Sequence, residues 1–248
     1  MDVKTYLDRI GYQGDIKADI ESLRRLHHLH RLAVPFENLD IHLGRSIVLG
    51  SARLYEKIVL NRRGGFCYEL NGLFAELLLE LGFEVQRLSA RVAKEPGGYG
   101  IPFDHMTLLV KLKQNWLADV GFGDSFREPL LLNVNGIQKQ AGESFRLLYD
   151  GTVHTYLRRV DGVWKPQYIF SRQPYDLADF QAGCNYHQTS PKSSFTQRRV
   201  CSLATPDGRV TLSDMKLITT VNGRREERDV VSEEEYIDLL REYFGVVL

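Results

Sequence analysis

The spacing of apolar residues changes from helical to alternating near residue 84, and this change constrains the fold more than any other feature of the sequence. Apolar side chains first recur at helical spacing, at Ile20, Leu23, Leu26, Leu29 and Leu32. Pro35 forbids continuation of this helix. A second apolar stripe predicts a helix that begins near Cys67 and stops at Gly82. Residues 1–84 are therefore expected to form a helical unit.

The chain from residue 85 onward carries the alternation and the turn signals of β-structure. Residues 85–92 place apolar and polar side chains in turn. Asp150-Gly151 and Asp161-Gly162 are strong hairpin signals between strand-like runs, which favours a meander or a small barrel. Near the end, Asn222-Gly223 marks a further hairpin. Ser232 followed by Glu235 forms a capping box that opens a last helix.

Composition and charge argue against several classes of function. The chain has 248 residues, with 32 Lys plus Arg and 32 Asp plus Glu, so no field of the whole molecule attracts nucleic acid or an anionic membrane. No apolar run has the length of a membrane span, and the start lacks a secretion signal. Three cysteines are too few for a disulfide framework. We expect a soluble protein of the reducing cytoplasm that binds neither nucleic acid nor membrane.

Cys67 has the most unusual setting of the three cysteines. It follows Gly64-Gly65 and falls in the first turn of the predicted helix. Free N–H groups and the positive helix end favour a thiolate there, so the pKa of this thiol is expected to fall. The glycine pair lets the backbone approach closely and supply amides to an oxyanion. The alternative is a buried structural thiol, which is how we interpret Cys184 and Cys201.

A thiol nucleophile usually needs an imidazole base, and His105 is the best candidate. It begins a strand-like run whose expected hairpin partner carries Asp119. An acid within an apolar strand needs a partner, so Asp119 is predicted to orient the imidazole, whereas Asp104 projects to the opposite face. A three-residue turn at 113–115 places Asp119 opposite Leu109, about 13 Å along the strand from His105. A bulge, strong twist or longer turn must then shift the register.

The other histidines lack a comparable partner pattern. We assign them to surface, loop or half-exposed positions: His27, His28 and His30 on the first helix, His42 in a loop, His154 on a hairpin strand and His187 near a helix end. His27 and His30 lie one helical turn apart, but no matching cysteines or carboxylates accompany them. No metal site is therefore expected.

Four blocks of the chain resemble the arylamine N-acetyltransferase family, in that family's order and spacing. They are VPFENLDIHLG (34–44), RRGGFCYELNGLF (62–74), FDHMTLLV (103–110) and WLADVGFG (116–123). The resemblance implies an α+β fold with an N-terminal helical bundle (1–84), a central β-barrel (85–190) and a C-terminal α/β lid (191–248). The bundle and the barrel would together carry a core like that of papain-type cysteine enzymes.

The resemblance also implies roles for individual residues. By position, Cys67 matches the acylated nucleophile, His105 the base and Asp119 the orienting acid. Phe36 and Phe122 match aromatic positions that line the acceptor pocket, although ordinary core packing explains their burial equally well.

Three further positions are interpreted from the same blocks. Tyr68 follows the nucleophile where relatives carry other aromatics or Leu, so it is expected to shape the substrate pocket. Glu37 and Arg63 match polar positions of the family motifs and are expected to form a structural ion pair.

The implied reaction moves an acetyl group from acetyl-CoA to an arylamine, hydrazine or hydroxylamine by a ping-pong mechanism. Between the two half-reactions, the acetyl group would be held as a thioester on Cys67. The backbone amides of Gly65, Cys67 and Tyr68 would stabilise the oxyanion, and no metal would take part. Two kinds of alternative stay open. The same three side chains would serve a cysteine hydrolase or an amide synthase, and a non-catalytic small-molecule binder would share the fold.

Overall fold

The computed structural model describes residues 1–133 and 136–248 and has mixed α+β architecture. A π-helical turn, Glu56–Leu60, follows the fourth helix directly, and a 3-10 turn, Leu177–Phe180, precedes the sixth. The helices are α1 (Val3–Ile10), α2 (Ile20–Ala33), α3 (Leu39–His42), α4 (Ser51–Tyr55), α5 (Cys67–Glu80), α6 (Gln181–Thr189), α7 (Ser194–Gln197) and α8 (Glu233–Phe244).

The described strands form two antiparallel sheets. They are β1 (Phe36–Glu37), β2 (Glu84–Val92), β3 (His105–Lys111), β4 (Asn115–Ala118), β5 (Leu130–Leu131), β6 (Gln138–Gln140), β7 (Glu143–Tyr149), β8 (His154–Val160), β9 (Val163–Tyr175), β10 (Val200–Thr205), β11 (Gly208–Ser213), β12 (Lys216–Val221) and β13 (Arg224–Asp229). The larger sheet has the order β5-β4-β3-β2-β9-β8-β7-β6, and the smaller has the order β1-β10-β11-β12-β13.

The larger sheet curls into a nearly closed barrel. Its edge strands, β5 and β6, meet through the side chain of Gln138, which accepts a hydrogen bond from the N–H of Leu131 at 2.8 Å and donates to its carbonyl at 2.9 Å. The predicted hairpin at Asp161-Gly162 is confirmed as a two-residue turn between β8 and β9. Both turn residues have positive φ, 49° and 80°, which such a turn requires.

Strand β3 separates two apolar cores and is buried almost along its whole length. Leu108 and Val110 pack with the helices α1, α2 and α5, while Leu109 points to the barrel interior. Helix α5 is likewise buried around most of its circumference, and it packs against β2 and β3. Both α5 and β3 are therefore packed against neighbouring elements over most of their surface, which fixes their ends relative to each other.

The smaller sheet joins distant parts of the chain. Phe36 of β1 pairs with Ser202 of β10, and α8 closes the apolar face of this sheet. The predicted α+β class, with N-terminal helices and a barrel, is confirmed. The domain boundaries at residues 84 and 190 stay predictions.

Candidate active site

The hairpin of β3 and β4 sets the distance between His105 and Asp119. Its turn lies at 112–114, so that Lys111 pairs with Asn115 and Leu108 with Ala118. The predicted turn at 113–115 was wrong, and no bulge or longer turn is needed in this hairpin. Asp119 continues beyond Ala118 at a position opposite residue 107, about 7 Å along the strand from His105. The two side chains close this gap, and His105 Nε2 lies 2.7 Å from Asp119 Oδ2.

The carboxylate of Asp119 is fully buried and held by four donors. Oδ2 accepts from His105 Nε2 and from the Tyr168 hydroxyl at 2.9 Å. Oδ1 accepts from Asn71 Nδ2 at 2.9 Å and from the Gly121 N–H at 3.0 Å. Burial acts to raise the pKa of Asp119, but the charge and hydrogen bond of His105, with the bonds from Asn71 and Tyr168, bring it below its usual value. An ionised carboxylate only accepts, so Nε2 of His105 is the nitrogen that donates to Asp119, and Nδ1 is the ring nitrogen left for other partners.

Cys67 is the first residue of α5, and it lines the same cavity as His105. Its side chain is almost completely buried, and burial raises the pKa of the thiol well above its usual value. A hydrogen bond from the backbone of Met106 opposes this rise, while the negative charge of Asp119 adds to it. The predicted fall in the pKa of this thiol is wrong, because desolvation by burial is the largest influence and raises it. A thiol with a raised pKa acts as a nucleophile only when a neighbouring group takes its proton.

The loop after β4 lies directly against the start of α5, and Gly121 makes this approach possible. A Cβ atom at Gly121 would lie 2.7 Å from Cys67 Cα and 2.7 Å from Asn71 Nδ2. Asn71 also accepts the N–H of Val120 at 2.9 Å. A side chain at residue 121 would therefore separate Asp119 from the helix that carries the thiol.

Two contacts of Asp119, from Asn71 and Tyr168, were not predicted from the sequence. Asn71 had a visible signal, because it is a polar residue on the buried face of α5 one turn after Cys67. Tyr168 lies on β9 and had none, since its approach depends on how the barrel closes.

The backbone amides near Cys67 differ in the contacts they make. The Gly65 N–H donates to the Pro35 carbonyl at 3.4 Å, so its predicted contact with an oxyanion is wrong. A Cβ atom on Gly64 would lie 2.0 Å from the same carbonyl oxygen, and one on Gly65 would lie 2.7 Å from Glu69 Cβ, so both glycines serve close packing. Cys67 and Tyr68 lie in the first turn of α5, where N–H groups have no intrahelical acceptor.

A cavity of about 650 Å³ opens beside the thiol. Phe36 and Phe122 both line it. Their role in holding the acceptor stays a prediction. The ring of Phe122 meets that of His105 edge to face, with centroids 5.1 Å apart. The far wall comes from the segment after β9 and includes Tyr186, His187, Lys192, Ser193 and Phe195.

Tyr68 is not among the residues that line this cavity, so its predicted role as a substrate-contacting side chain is wrong. Its ring is fully buried against Phe66 and Phe180. Its hydroxyl donates to the Phe103 carbonyl at 2.6 Å. The Tyr68 side chain therefore packs the start of α5 against the residues that precede β3.

His187 and Asp104 form a second imidazole–carboxylate pair on the cavity wall. His187 Nε2 lies 3.1 Å from Asp104 Oδ1, and Nδ1 lies 3.0 Å from Ser193 Oγ. The expectation that His187 has no partner was wrong. This pair ties α6 to the residue that precedes His105, so the segment after β9 and the start of β3 meet beside the candidate base.

Other histidines also differ from their predicted surroundings. His27, His30 and His154 were assigned to exposed or half-exposed positions, and all three are buried. For α2, the reason is that α1 covers one side of the helix and the loop after β4 covers another. The apolar spacing in the sequence predicted only one buried face of α2.

Glu37 and Arg63 form the predicted ion pair, with Arg63 Nη2 2.8 Å from Glu37 Oε1. The pair belongs to a larger buried network behind the start of α5. Lys57 Nζ lies 2.7 Å from Asp40 Oδ2 and 2.8 Å from Glu69 Oε1. The other oxygen of Glu69 accepts the Phe66 N–H at 3.1 Å, which caps the helix that begins at Cys67.

Within residues 1–133 and 136–248, no group of three or more His, Cys, Asp or Glu side chains is arranged to hold a metal ion. In the same part of the chain, no helix is both long and apolar enough to cross a membrane. Cys67, Cys184 and Cys201 are all buried and free.

A helical bundle and a barrel that meet at Cys67, His105 and Asp119 define the class of proteins with the papain-like fold. Comparison with known proteins shows which family within this class the chain belongs to. A sequence model of the N-acetyltransferase family matches residues 19–248. An arylamine N-acetyltransferase of Mycolicibacterium smegmatis is 35% identical over 255 residues, covering 100% of this chain and 93% of the relative. The chain belongs to the arylamine N-acetyltransferase family and is a transferase.

Two further similarities bear on the reaction. The structure of Mycobacterium marinum arylamine N-acetyltransferase in complex with CoA matches this fold with a TM-score of 0.92 and 32% identity, covering 99% of this chain and 93% of that one. The proansamycin X synthase of Amycolatopsis mediterranei (strain S699) is 32% identical, covering 95% of this chain and 94% of the relative.

Proposed function

We propose that this protein transfers an acetyl group from acetyl-CoA to an arylamine by a ping-pong mechanism, with Cys67 as nucleophile, His105 as base and Asp119 as orienting acid. The observation that carries the proposal is the 2.7 Å contact of Asp119 with Nε2 of His105, in a cavity that His105 shares with Cys67. This contact leaves Nδ1 as the proton acceptor on the cavity side.

In the first half-reaction, the thiol proton of Cys67 moves to Nδ1 of His105 as the sulfur attacks the acetyl carbonyl. Because burial raises the pKa of this thiol, the transfer to His105 accompanies the attack. The N–H groups of Cys67 and Tyr68 stabilise the tetrahedral oxyanion. The C–S bond to CoA breaks, CoA sulfur takes the proton from His105, and acetyl-Cys67 remains.

In the second half-reaction, the amine attacks the acetyl-Cys67 carbonyl. An arylamine nitrogen is mostly unprotonated at neutral pH, so its lone pair is free. His105 takes the proton from nitrogen and returns it to sulfur as the thioester breaks. Asp119 stabilises the imidazolium in both half-reactions. Phe36 and Phe122 provide apolar walls that limit hydrolysis of the thioester.

The proposed donor is supported by the CoA complex of the Mycobacterium marinum relative. Lys94 and Lys192 line the cavity and are exposed, so they match the negative charge of the coenzyme phosphates. The proposed acceptors are arylamines, hydrazines and hydroxylamines, which share an unprotonated nucleophilic nitrogen. We also propose a cytoplasmic location without nucleic-acid or membrane partners, supported by the three free cysteines and the balanced charge.

Initial rates with acetyl-CoA and an aromatic amine varied together test the mechanism. Parallel double-reciprocal lines are expected, and intersecting lines would argue for a ternary complex. Cys67→Ala should lower transfer by roughly a thousandfold or more, because the covalent route is lost. Cys201→Ala is the control, since this buried thiol lies in the core between the smaller sheet and α8.

An amide synthase is the second candidate, because the Amycolatopsis relative is named a synthase and covers nearly the whole chain. An enzyme of that kind forms an amide from an acyl group that acetyl-CoA does not supply. Failure of acetyl-CoA to acetylate Cys67, with rapid acylation by a larger thioester, would favour this candidate over the first.

A further inference from the structure

His27 contacts the backbone of Asp119 from the side of α2. Nε2 of its imidazole accepts the N–H of Asp119 at 3.0 Å, and Nδ1 lies 2.7 Å from the Arg127 carbonyl oxygen. Its ring stacks on Phe126, with centroids 5.6 Å apart and planes 16° from parallel. One imidazole therefore joins α2 to both ends of the loop 119–127.

The hydrogen bonds fix the protonation state of this imidazole. A backbone N–H only donates, so Nε2 of His27 must be unprotonated, and a carbonyl only accepts, so Nδ1 carries the hydrogen. The ring is fully buried, and burial lowers the pKa of His27 to about 3, although the bond to the Arg127 carbonyl opposes this shift. His27 is thus a neutral acceptor with one defined tautomer.

The N–H of Asp119 needs this acceptor because the β3–β4 ladder ends before it. The last paired residues are Leu108 and Ala118. Asp119 is fully buried, and a buried N–H without a partner is costly. His27 takes the place of the next strand residue at the point where the chain leaves the sheet and turns toward α5.

We propose that His27 is a positioning residue that holds the Asp119 backbone so that its carboxylate stays against His105. This inference rests on the proposed function, in which Asp119 orients the base. Among the described residues, His27 forms no hydrogen bond with Cys67 or His105 and does not line the cavity, so its proposed effect on the base passes through Asp119. The side-chain bonds of Asp119 to Asn71 and Tyr168 fix the carboxylate from one side, and His27 fixes the main chain from the other.

His27→Phe tests the proposal, because phenylalanine keeps a ring beside Phe126 but removes both hydrogen bonds. We expect kcat for acetyl transfer to fall roughly tenfold, with KM for the arylamine changed by less than about twofold, since only the orientation of the base is disturbed. His27→Gln offers an amide oxygen to the Asp119 N–H and should restore part of kcat.

His30→Phe is the matched control. His30 is another fully buried imidazole of α2, and neither of its ring nitrogens has a hydrogen-bond partner among the described residues. This variant should keep kcat within about twofold of the parent, because its ring has no contact with Asp119. Equal losses in the two variants would overturn the positioning role, since the loss would then follow from a disturbed helix.

The rate of Cys67 alkylation by iodoacetamide gives a readout that needs no acetyl transfer. His27→Phe should slow this alkylation several-fold and His30→Phe should not, because a misplaced His105 accepts the thiol proton less well. If iodoacetamide alkylates Cys67 of the parent protein but the protein transfers no acetyl group, the proposed function fails. The alkylation rates of His27→Phe and His30→Phe would then still test the positioning role. Alkylation and kcat that both stay unchanged in His27→Phe would contradict the inference.

Discussion

At the scale of single residues, the candidate site depends on how tightly one carboxylate is held. Asp119 accepts four hydrogen bonds from side chains and backbone and donates its own N–H to His27. Together, these bonds restrict movement of the carboxylate away from His105. Of these contacts, only the one to His105 was predicted from the sequence. The Gly121 N–H lies two residues further along the same loop, and the remaining partners come from α2, α5 and β9, far away along the chain.

Tyr168→Phe removes one of these donors and should lower kcat by about threefold to tenfold, because the Oδ2 atom that faces His105 loses its second hydrogen bond. Tyr156→Phe is the matched control. Tyr156 is a neighbouring buried tyrosine whose hydroxyl contacts Ser125 Oγ at 3.0 Å. Steady-state kinetics of both variants, with thermal unfolding, give the comparison. Equal kcat values would show that the Tyr168 hydroxyl contributes only to stability.

At the scale of elements, the start of α5 depends on a buried ionic network. Glu37, Asp40 and Glu69 share the two buried bases Lys57 and Arg63, and the half-exposed Arg45 lies 3.9 Å from Asp40 at the edge of the network. Burial raises the pKa of Glu69 to about 7, although the charge of Lys57 opposes this. Glu69 is therefore a carboxyl group that titrates near neutral pH, and it also caps the helix that carries the thiol.

This shift makes the stability of the protein depend on pH in a defined direction. The pKa of Glu69 is higher in the folded chain, about 7, than in an unfolded chain, about 4.3, so folding is favoured by protonation. The stability contribution is present below the unfolded pKa and is lost as pH rises toward 7. Glu69→Gln removes the titrating carboxyl group and therefore the loss of stability at higher pH, while its amide oxygen can still accept the Phe66 N–H.

Urea unfolding of Glu69→Gln and the parent at pH 5 and pH 8 measures the effect. The free energy of unfolding of the variant, relative to the parent, should become more favourable by roughly 1–3 kcal/mol as pH rises between these values. A relative stability that stays constant, or that falls with pH, would mean that Glu69 remains ionised throughout.

The elements also show why part of the site was predictable from sequence and part was not. The start of α5 at Cys67 follows from local signals, namely a glycine pair and an apolar stripe, and the structure has the helix there. The contact between His105 and Asp119 depends on the place of a turn. An error of one residue in that turn moves Asp119 by two residues relative to β3, and no local signal distinguished Leu112 from Lys113 as its first residue.

At the scale of the whole molecule, the site exists only where separate parts of the chain meet. The thiol comes from α5, the imidazole from β3 and the carboxylate from the loop after β4, while the far wall comes from the segment after β9. The change of apolar spacing near residue 84 predicted the order of helical and β parts. It did not predict the buried histidines of α2 or the pair of His187 with Asp104, since these depend on how the parts pack.

The central claim is that Cys67 carries the acetyl group between the two half-reactions. Mass spectrometry of the intact protein after mixing with acetyl-CoA alone, followed by peptide mapping, tests it most directly. We predict that the parent gains the mass of one acetyl group on Cys67 and loses it when an arylamine is added, while Cys67→Ala gains none. A protein that turns over acetyl-CoA and amine without acetylation of Cys67 would contradict the account.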